Sequence, residues 1–159
     1  ALSNTHSLDS IGLRFFNVYG PGQDPLSPYS GVVSKFIERC RNSRPFIIYG
    51  DGQQSRDFIF VLDVVQAMTR AMAALRDKKD HKISEVINVC TGHSIDLLEL
   101  VRILSGLMND GRSSIVYHQP RAGDIRFSVG DYSRMRARLG MLSTIPIKTG
   151  IETILKDDL

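Results

Sequence analysis

The sequence predicts an α/β fold, and three observations carry that expectation. Short runs rich in β-branched and aromatic residues alternate with stretches whose apolar residues recur every three or four positions, the signatures of strands and amphipathic helices in turn. Turn formers separate them, most densely in Tyr-Gly-Pro-Gly-Gln-Asp-Pro at 19–25 and Gly-Asp-Gly at 50–52. No repeat of fixed period is visible, so a solenoid is not expected. Alternating strands and helices pack as layers rather than as a bundle or a sandwich. At 159 residues the chain has room for one core and reads as one domain.

Residues 11–18 (Ile-Gly-Leu-Arg-Phe-Phe-Asn-Val) read as a buried strand running into the first Gly/Pro loop. Over 30–42, Val32, Val33, Phe36, Ile37 and Cys40 fall on one helical face and Ser30 is placed to cap it. Residues 46–49 form a strand, 50–52 a tight turn, and 57–61 a second strand, with a polar, exposed stretch over 50–56. A helix over 63–75 turns Val64, Met68, Ala71, Met72 and Leu75 to one side and ends in the charged run 76–82, a solvated loop. Residues 85–90 form a strand closed by Thr91-Gly92. Ser94 then caps a helix presenting Ile95, Leu98, Val101 and Leu107. Residues 114–118 and 125–129 are extended. Asp131 caps a helix that Gly140 stops, and a last helix spans 147–156.

Composition excludes several classes. With 42% hydrophobic and 23% charged residues the chain is globular, neither disordered nor fibrous. No apolar run nears the about 18 residues of a membrane span, and the N-terminus lacks signal-peptide form. A cytoplasmic protein with no membrane partner is expected. Lys and Arg number 20 against 17 Asp and Glu, and the two signs interleave, so no nucleic-acid partner is expected. Cys40 and Cys90 stand alone, which predicts two reduced, packed thiols and no metal site.

The common catalytic motifs are missing: G-x-G-x-x-G, the P-loop, H-E-x-x-H and G-x-S-x-G. His6, His81, His93 and His118 have no paired acid nearby in sequence and are assigned no role. What stands out is an amide and two guanidinium groups in loops at strand ends. These are Asn17 before Tyr-Gly-Pro, Arg56 in Gly-Asp-Gly-Gln-Gln-Ser-Arg-Asp-Phe, and Arg121 in Arg-Ala-Gly-Asp. Arg offers a planar fork matched to phosphate oxygens, and Asp124 could accept hydrogen bonds from sugar hydroxyls. Ordinary loop arginines and turn acids would give the same pattern.

Five segments narrow the choice. Leu13-Arg-Phe-Phe-Asn-Val-Tyr-Gly-Pro, Gln23-Asp-Pro-Leu-Ser-Pro-Tyr-Ser-Gly-Val-Val, Ile48-Tyr-Gly-Asp-Gly-Gln-Gln-Ser-Arg-Asp-Phe, Asn88-Val-Cys-Thr-Gly and Arg121-Ala-Gly-Asp-Ile-Arg resemble, in this order, the C-terminal half of the nucleotide-sugar epimerases and dehydratases. These are extended short-chain dehydrogenases, and the UDP-glucose 4-epimerase branch is the most similar. The likeness runs from about Leu13 to Ile154. It implies one C-terminal nucleotide-sugar-binding domain over 1–159, an α+β substrate-binding portion with the Rossmann half largely missing. By the same resemblance Asn17, Arg56 and Arg121 bind the diphosphate of a UDP-sugar, Tyr49 sits against the uracil, Val33 lies near the nucleotide and Asp124 meets the ribose. Phe15 approaches the nicotinamide of NAD, and Asp57 is a structural partner or strand-end cap rather than a catalyst.

The resemblance also marks departures. Gly22, Cys90 and Leu62 stand where many relatives carry Arg, Gly and an acid, and Gly22 removes one phosphate or sugar contact. The family's NAD glycine motif and Tyr-x-x-x-Lys pair lie upstream of the Leu-Arg-Phe-Phe-Asn segment, and only twelve residues precede Leu13 here. The chain starts at Ala rather than Met. A piece of a longer enzyme is therefore expected, inactive alone, whose parent uses NAD, acts at the sugar C4 and pairs as a homodimer through helices not found here. A dehydratase or decarboxylase fragment and a non-catalytic nucleotide-sugar-binding module remain open. An exposed apolar face is expected where the missing half would pack.

Overall fold

The computed structural model describes residues 8–77, 82–108 and 114–157. The elements in order are β1 (Ser10–Phe15), β2 (Asn17–Tyr19), α1 (Val32–Arg41), β3 (Phe46–Tyr49), β4 (Ser55–Arg56), β5 (Phe58–Phe60), α2 (Val61–Arg76), β6 (Ser84–Val89), β7 (Ile95–Asp96), α3 (Leu97–Leu107), β8 (Ile115–His118), α4 (Ser133–Leu139) and α5 (Ile147–Asp157). The fold is α/β. Three strand pairs are parallel, β1 with β6, β2 with β5 and β3 with β8, and β4 pairs antiparallel with β7. Parallel partners require long crossovers, which the helices supply.

The single strand expected over 11–18 is two strands. Phe16 N donates to Val89 O (3.1 Å) and Asn17 N donates to Asp57 O (3.0 Å), so the chain leaves β6 and joins the β5 segment within one residue. Nor is this run buried: Phe15, at the end of β1, is 44% exposed. Two apolar cores result. Tyr19, Phe36, Phe46, Phe60, Leu100, Leu104 and Ile151 form one, among α1, α3, α5 and the strands β3 and β5. Ile59, Val64, Ala67, Ala71, Ile87, Met135 and Leu139 form the other, where α2 and α4 cover β1 and β6.

Several boundaries and faces differ from expectation. Ser30 does not cap α1; Gly31 is the N-cap residue without a side-chain bond, and the Ser30 hydroxyl donates to Asp24 O instead. On α2 the buried residues are Asp63, Val64, Ala67 and Ala71, while Met72 is 70% exposed. Two alanines one turn apart let the helix sit close on the strands, which turns the methionines outward. Ser94 precedes a short strand, and Asp96 caps α3 by accepting from Glu99 N at 2.7 Å. There Leu97, Leu100, Val101 and Leu104 are the buried face. The 50–56 stretch is not simply exposed: Gly52 and Gln54 are buried and residues 55–56 form β4. Residues 125–129 make one bridge, Ser55 with Phe127, rather than a strand. Asp131 Oδ1 does accept from Ser133 N (2.8 Å) at the start of α4, and Gly140, at φ 59°, ends it. His6 and His81, and most of the 76–82 run, lie outside the described residues.

Both cysteines are buried thiols, not joined in a disulfide. Among the described residues no helix is long and apolar enough to cross a membrane.

Asp63, 2% exposed, anchors the connection into α5. Its carboxylate accepts from Ser143 Oγ (2.7 Å), Thr144 N (3.2 Å) and Ile145 N (3.3 Å) while sitting in the first turn of α2, where the helix end favours negative charge. Burial, and then Asp63, push the Tyr19 hydroxyl well above the ordinary phenol range, and that hydroxyl donates to Ile147 O (3.4 Å).

The glycine at the centre of this contact is Gly150 in α5. A Cβ there would overlap Tyr19 Oη and lie 2.8 Å from Phe60 Cδ2. Helix propensity favours Ala by about 1 kcal/mol, but overpacking against two buried rings costs about 1–3 kcal/mol. Gly150→Ala is expected to destabilise the chain in urea by a net of up to about 2 kcal/mol; a raised midpoint would contradict the packing.

Candidate functional site

Four loop segments meet at the C-terminal ends of β2, β3 and β4. Tyr49 ends β3, opposite His118 of β8. The chain then turns through Gly50 (φ 85°) and Gly52 (φ 81°), left-handed positions that suit glycine. A Cβ on Gly52 would strike the Leu98 side chain at 2.8 Å. Gln54 Nε2 donates back to Tyr49 O at 2.7 Å, closing the turn.

The 121–128 loop is held along this turn by two devices. Ser55 N donates to Arg126 O (2.9 Å) and Ser128 N to Ser55 O (3.2 Å). The Arg126 fork donates to both carboxylate oxygens of Asp51 (2.6 and 2.8 Å) and to Gln53 Oε1 (3.1 Å). Bidentate geometry makes this a stronger pair than most surface pairs. The Arg126 hydrogen bond is also the main reason the Asp51 carboxyl falls to about 2.

Arg56 and Arg121 are differently held. Arg56 ion-pairs with Asp124, donates to Ile125 O at 2.5 Å and Ser55 O at 2.8 Å, and its side chain is only 17% exposed. Arg121 instead lies over the Tyr49 ring, its Cζ 3.8 Å from the centroid. Among the described residues it has no ion-pair partner. Asn17 N and Nδ2 both donate to Asp57 O, at 3.0 and 3.1 Å.

Asp57 is fully buried. Its Oδ1 accepts from Thr91 N (2.9 Å) and Thr91 Oγ1 (2.7 Å), and its Oδ2 accepts from Gly92 N (2.9 Å) and Gly130 N (3.1 Å). Burial, and then this neighbouring carboxylate, push the Cys90 thiol up to about 12. Asp57 therefore joins the β4–β5 junction to the turn after β6 and the loop before α4.

A cavity of about 700 Å³ opens where these segments meet, and Asn17, Val33, Tyr49, Arg56, Arg121 and Asp124 all line it. Val33 is 1% exposed and belongs equally to the core. Phe15 does not line the cavity; it ends β1, 44% exposed, beside Val89. Three features were not singled out from the sequence: the Asp51–Arg126 pair, the Gln54 closure, and His118, whose ring lies 5.4 Å from that of Tyr49. The second Arg of Arg121-Ala-Gly-Asp-Ile-Arg, set against the acid of Gly-Asp-Gly, was the available signal for the first. The site can hold a flat ring beside an anion: an aromatic face, one paired guanidinium and one unpaired.

A dinucleotide cradle is not found among the described residues. β1 leads directly into β2 rather than into a helix. The glycine turn after β6 has its Thr91 and Gly92 amides filled by Asp57, so these donors are not open to a pyrophosphate.

The model of the NAD dependent epimerase/dehydratase family matches residues 1–90. The chain belongs to that family. It is similar to the UDP-glucose 4-epimerase of Mycolicibacterium smegmatis, 35% identical over 148 residues that cover 93% of this chain and 45% of that protein. Among solved structures it is similar to a UDP-glucose 4-epimerase from Thermotoga maritima determined with UDP-glucose. The TM-score is 0.86 at 33% identity, covering 97% of this chain and 47% of that one. A UDP-N-acetylglucosamine 4-epimerase from Methanobrevibacter ruminantium, in complex with UDP-N-acetylmuramic acid, has a TM-score of 0.83 at 31% identity, covering 98% and 49%. The chain spans a little under half the length of these relatives.

Asp57→Ala strands the Thr91, Gly92 and Gly130 amides, so a loss of at least about 2 kcal/mol is expected in chemical denaturation; a loss within error would remove Asp57 as the junction. For Asp51, the lowered carboxyl means that its pairing is complete above about pH 4 and is lost as pH falls toward 2. A carboxyl NMR titration is expected to find its midpoint near 2 and to see Arg126→Ala move it back toward the ordinary aspartate value. A midpoint already at the ordinary value in the wild type contradicts the clamp.

Proposed function

We propose that this chain is the UDP-sugar-binding portion of a UDP-sugar 4-epimerase whose NAD-binding half is not part of it. Asn17, Arg56 and Arg121 grip the diphosphate, Tyr49 takes the uracil, and Asp124 offers its second oxygen to the ribose. The observation that carries this reading is the convergence of Arg56 and Arg121 on one cavity with an aromatic wall. Guanidinium forks suit diphosphate oxygens, and the ring suits a base. Asp124 gains a second task, holding Arg56 in place. Phe15 has no place in the cavity and is left to the cofactor side of the parent. Hydride chemistry belongs to NAD and to a proton-transferring side chain, and the described residues offer neither the cradle nor a paired base.

Calorimetry is expected to find weak UDP binding by the chain. Arg56→Ala and Arg121→Ala should each remove about 1.5–3 kcal/mol of it, as charged hydrogen bonds do. Wild-type affinity in both variants overturns the assignment. The chain alone, with NAD added, is expected to turn over no UDP-hexose; measurable epimerisation would contradict the division of labour.

A further inference from the structure

We infer that Arg121 is a specificity gate: it covers the base-binding ring until a diphosphate draws it away. The inference rests on the nucleotide reading above. The Arg121 guanidinium lies 3.8 Å from the centre of the Tyr49 ring, close enough to block a base from the face it covers. His118 leans on the same ring, with centroids 5.4 Å apart and planes 44° to each other, so the ring has a second neighbour already. Arg121 has no carboxylate partner among the described residues, whereas Arg56 is tied to Asp124, Ile125 O and Ser55 O. Of the two guanidinium groups, one is fixed by several bonds and the other is held, among the described residues, by the ring contact alone.

An exposed guanidinium on a half-buried ring is held weakly, and a phosphate oxygen offers it a stronger, charge-assisted bond. A ligand with a diphosphate therefore compensates the loss of the ring contact and frees the ring for its own base. A nucleoside cannot: it must displace Arg121 with nothing to offer in return. The gate selects for the phosphate by penalising ligands that lack it, which is specificity by exclusion.

Uridine and UDP, titrated separately by NMR into the full chain, test this. Removing Arg121 should act with opposite sign on the two. Arg121→Ala is expected to tighten uridine about two- to fivefold, the worth of an exposed cation–π contact, and to weaken UDP at least about tenfold. In Tyr49→Leu/Arg121→Ala the uridine gain should vanish relative to Tyr49→Leu, because no ring is left to uncover. If Arg121→Ala leaves uridine unchanged or weakens it while UDP still binds the wild type, the gate is wrong and the nucleotide site stands. If neither ligand shifts any resonance of the wild type, the nucleotide reading itself fails and the gate with it.

Discussion

The carboxylate of Asp57 is the one interaction on which the site depends. Four donors from two separate stretches, 91–92 and 130, converge on its two oxygens, and its own carbonyl receives Asn17. A buried carboxylate is costly unless fully satisfied, and among the described residues no buried polar side-chain atom lacks a partner. Because Arg56 is the preceding residue and the 121–128 loop leads into Gly130, fixing Asp57 fixes where both arginines begin. The second buried acid, Asp63, does the same for the 143–145 segment on the far side of α2. The two junctions are polar, and they bind together what two apolar cores only bring near.

The two guanidinium groups illustrate how surroundings divide one chemistry into two roles. Arg56 is shielded and neutralised by Asp124, so it supplies geometry more than net charge. Arg121 has no ion-pair partner among the described residues, so its charge is not neutralised there. Outside them the Asp51–Arg126 pair, roughly half exposed on both sides, lines an adjoining cleft with Tyr49, Arg121 and Asp124 and ties the turn that follows Tyr49 to the loop carrying Arg121.

Much of this was legible in the sequence. The strand–helix alternation, the α1 face built from Val33, Phe36, Ile37 and Cys40 and the Gly140 stop follow from spacing, while the meeting of Asn17, Tyr49, Arg56, Arg121 and Asp124 was implied by the family resemblance that the ordered motifs carry. What was not legible depended on partners distant in sequence. Nothing in Ile-Gly-Leu-Arg-Phe-Phe-Asn-Val says that the chain changes strand partner at Phe16, since that is decided by Val89 and Asp57. The α2 face was misread because Met68 and Met72 outrank Ala67 and Ala71 in hydrophobicity, yet the alanines allow the closer approach. Two-residue strands such as β4 carry no periodicity to read.

The parallel pairings place Ser10 opposite Ser84 and Phe46 opposite Ile115. Such ladders close only after long stretches of chain are in hand, which slows folding compared with local hairpins. During synthesis from the N-terminus, a nascent chain that has just released β6 has Asn17, Tyr49 and Arg56 but neither Arg121 nor Gly130. The cavity lined by all of these residues is thus complete only late in synthesis, and under the proposed function a nucleotide would stabilise only molecules whose translation has passed that loop.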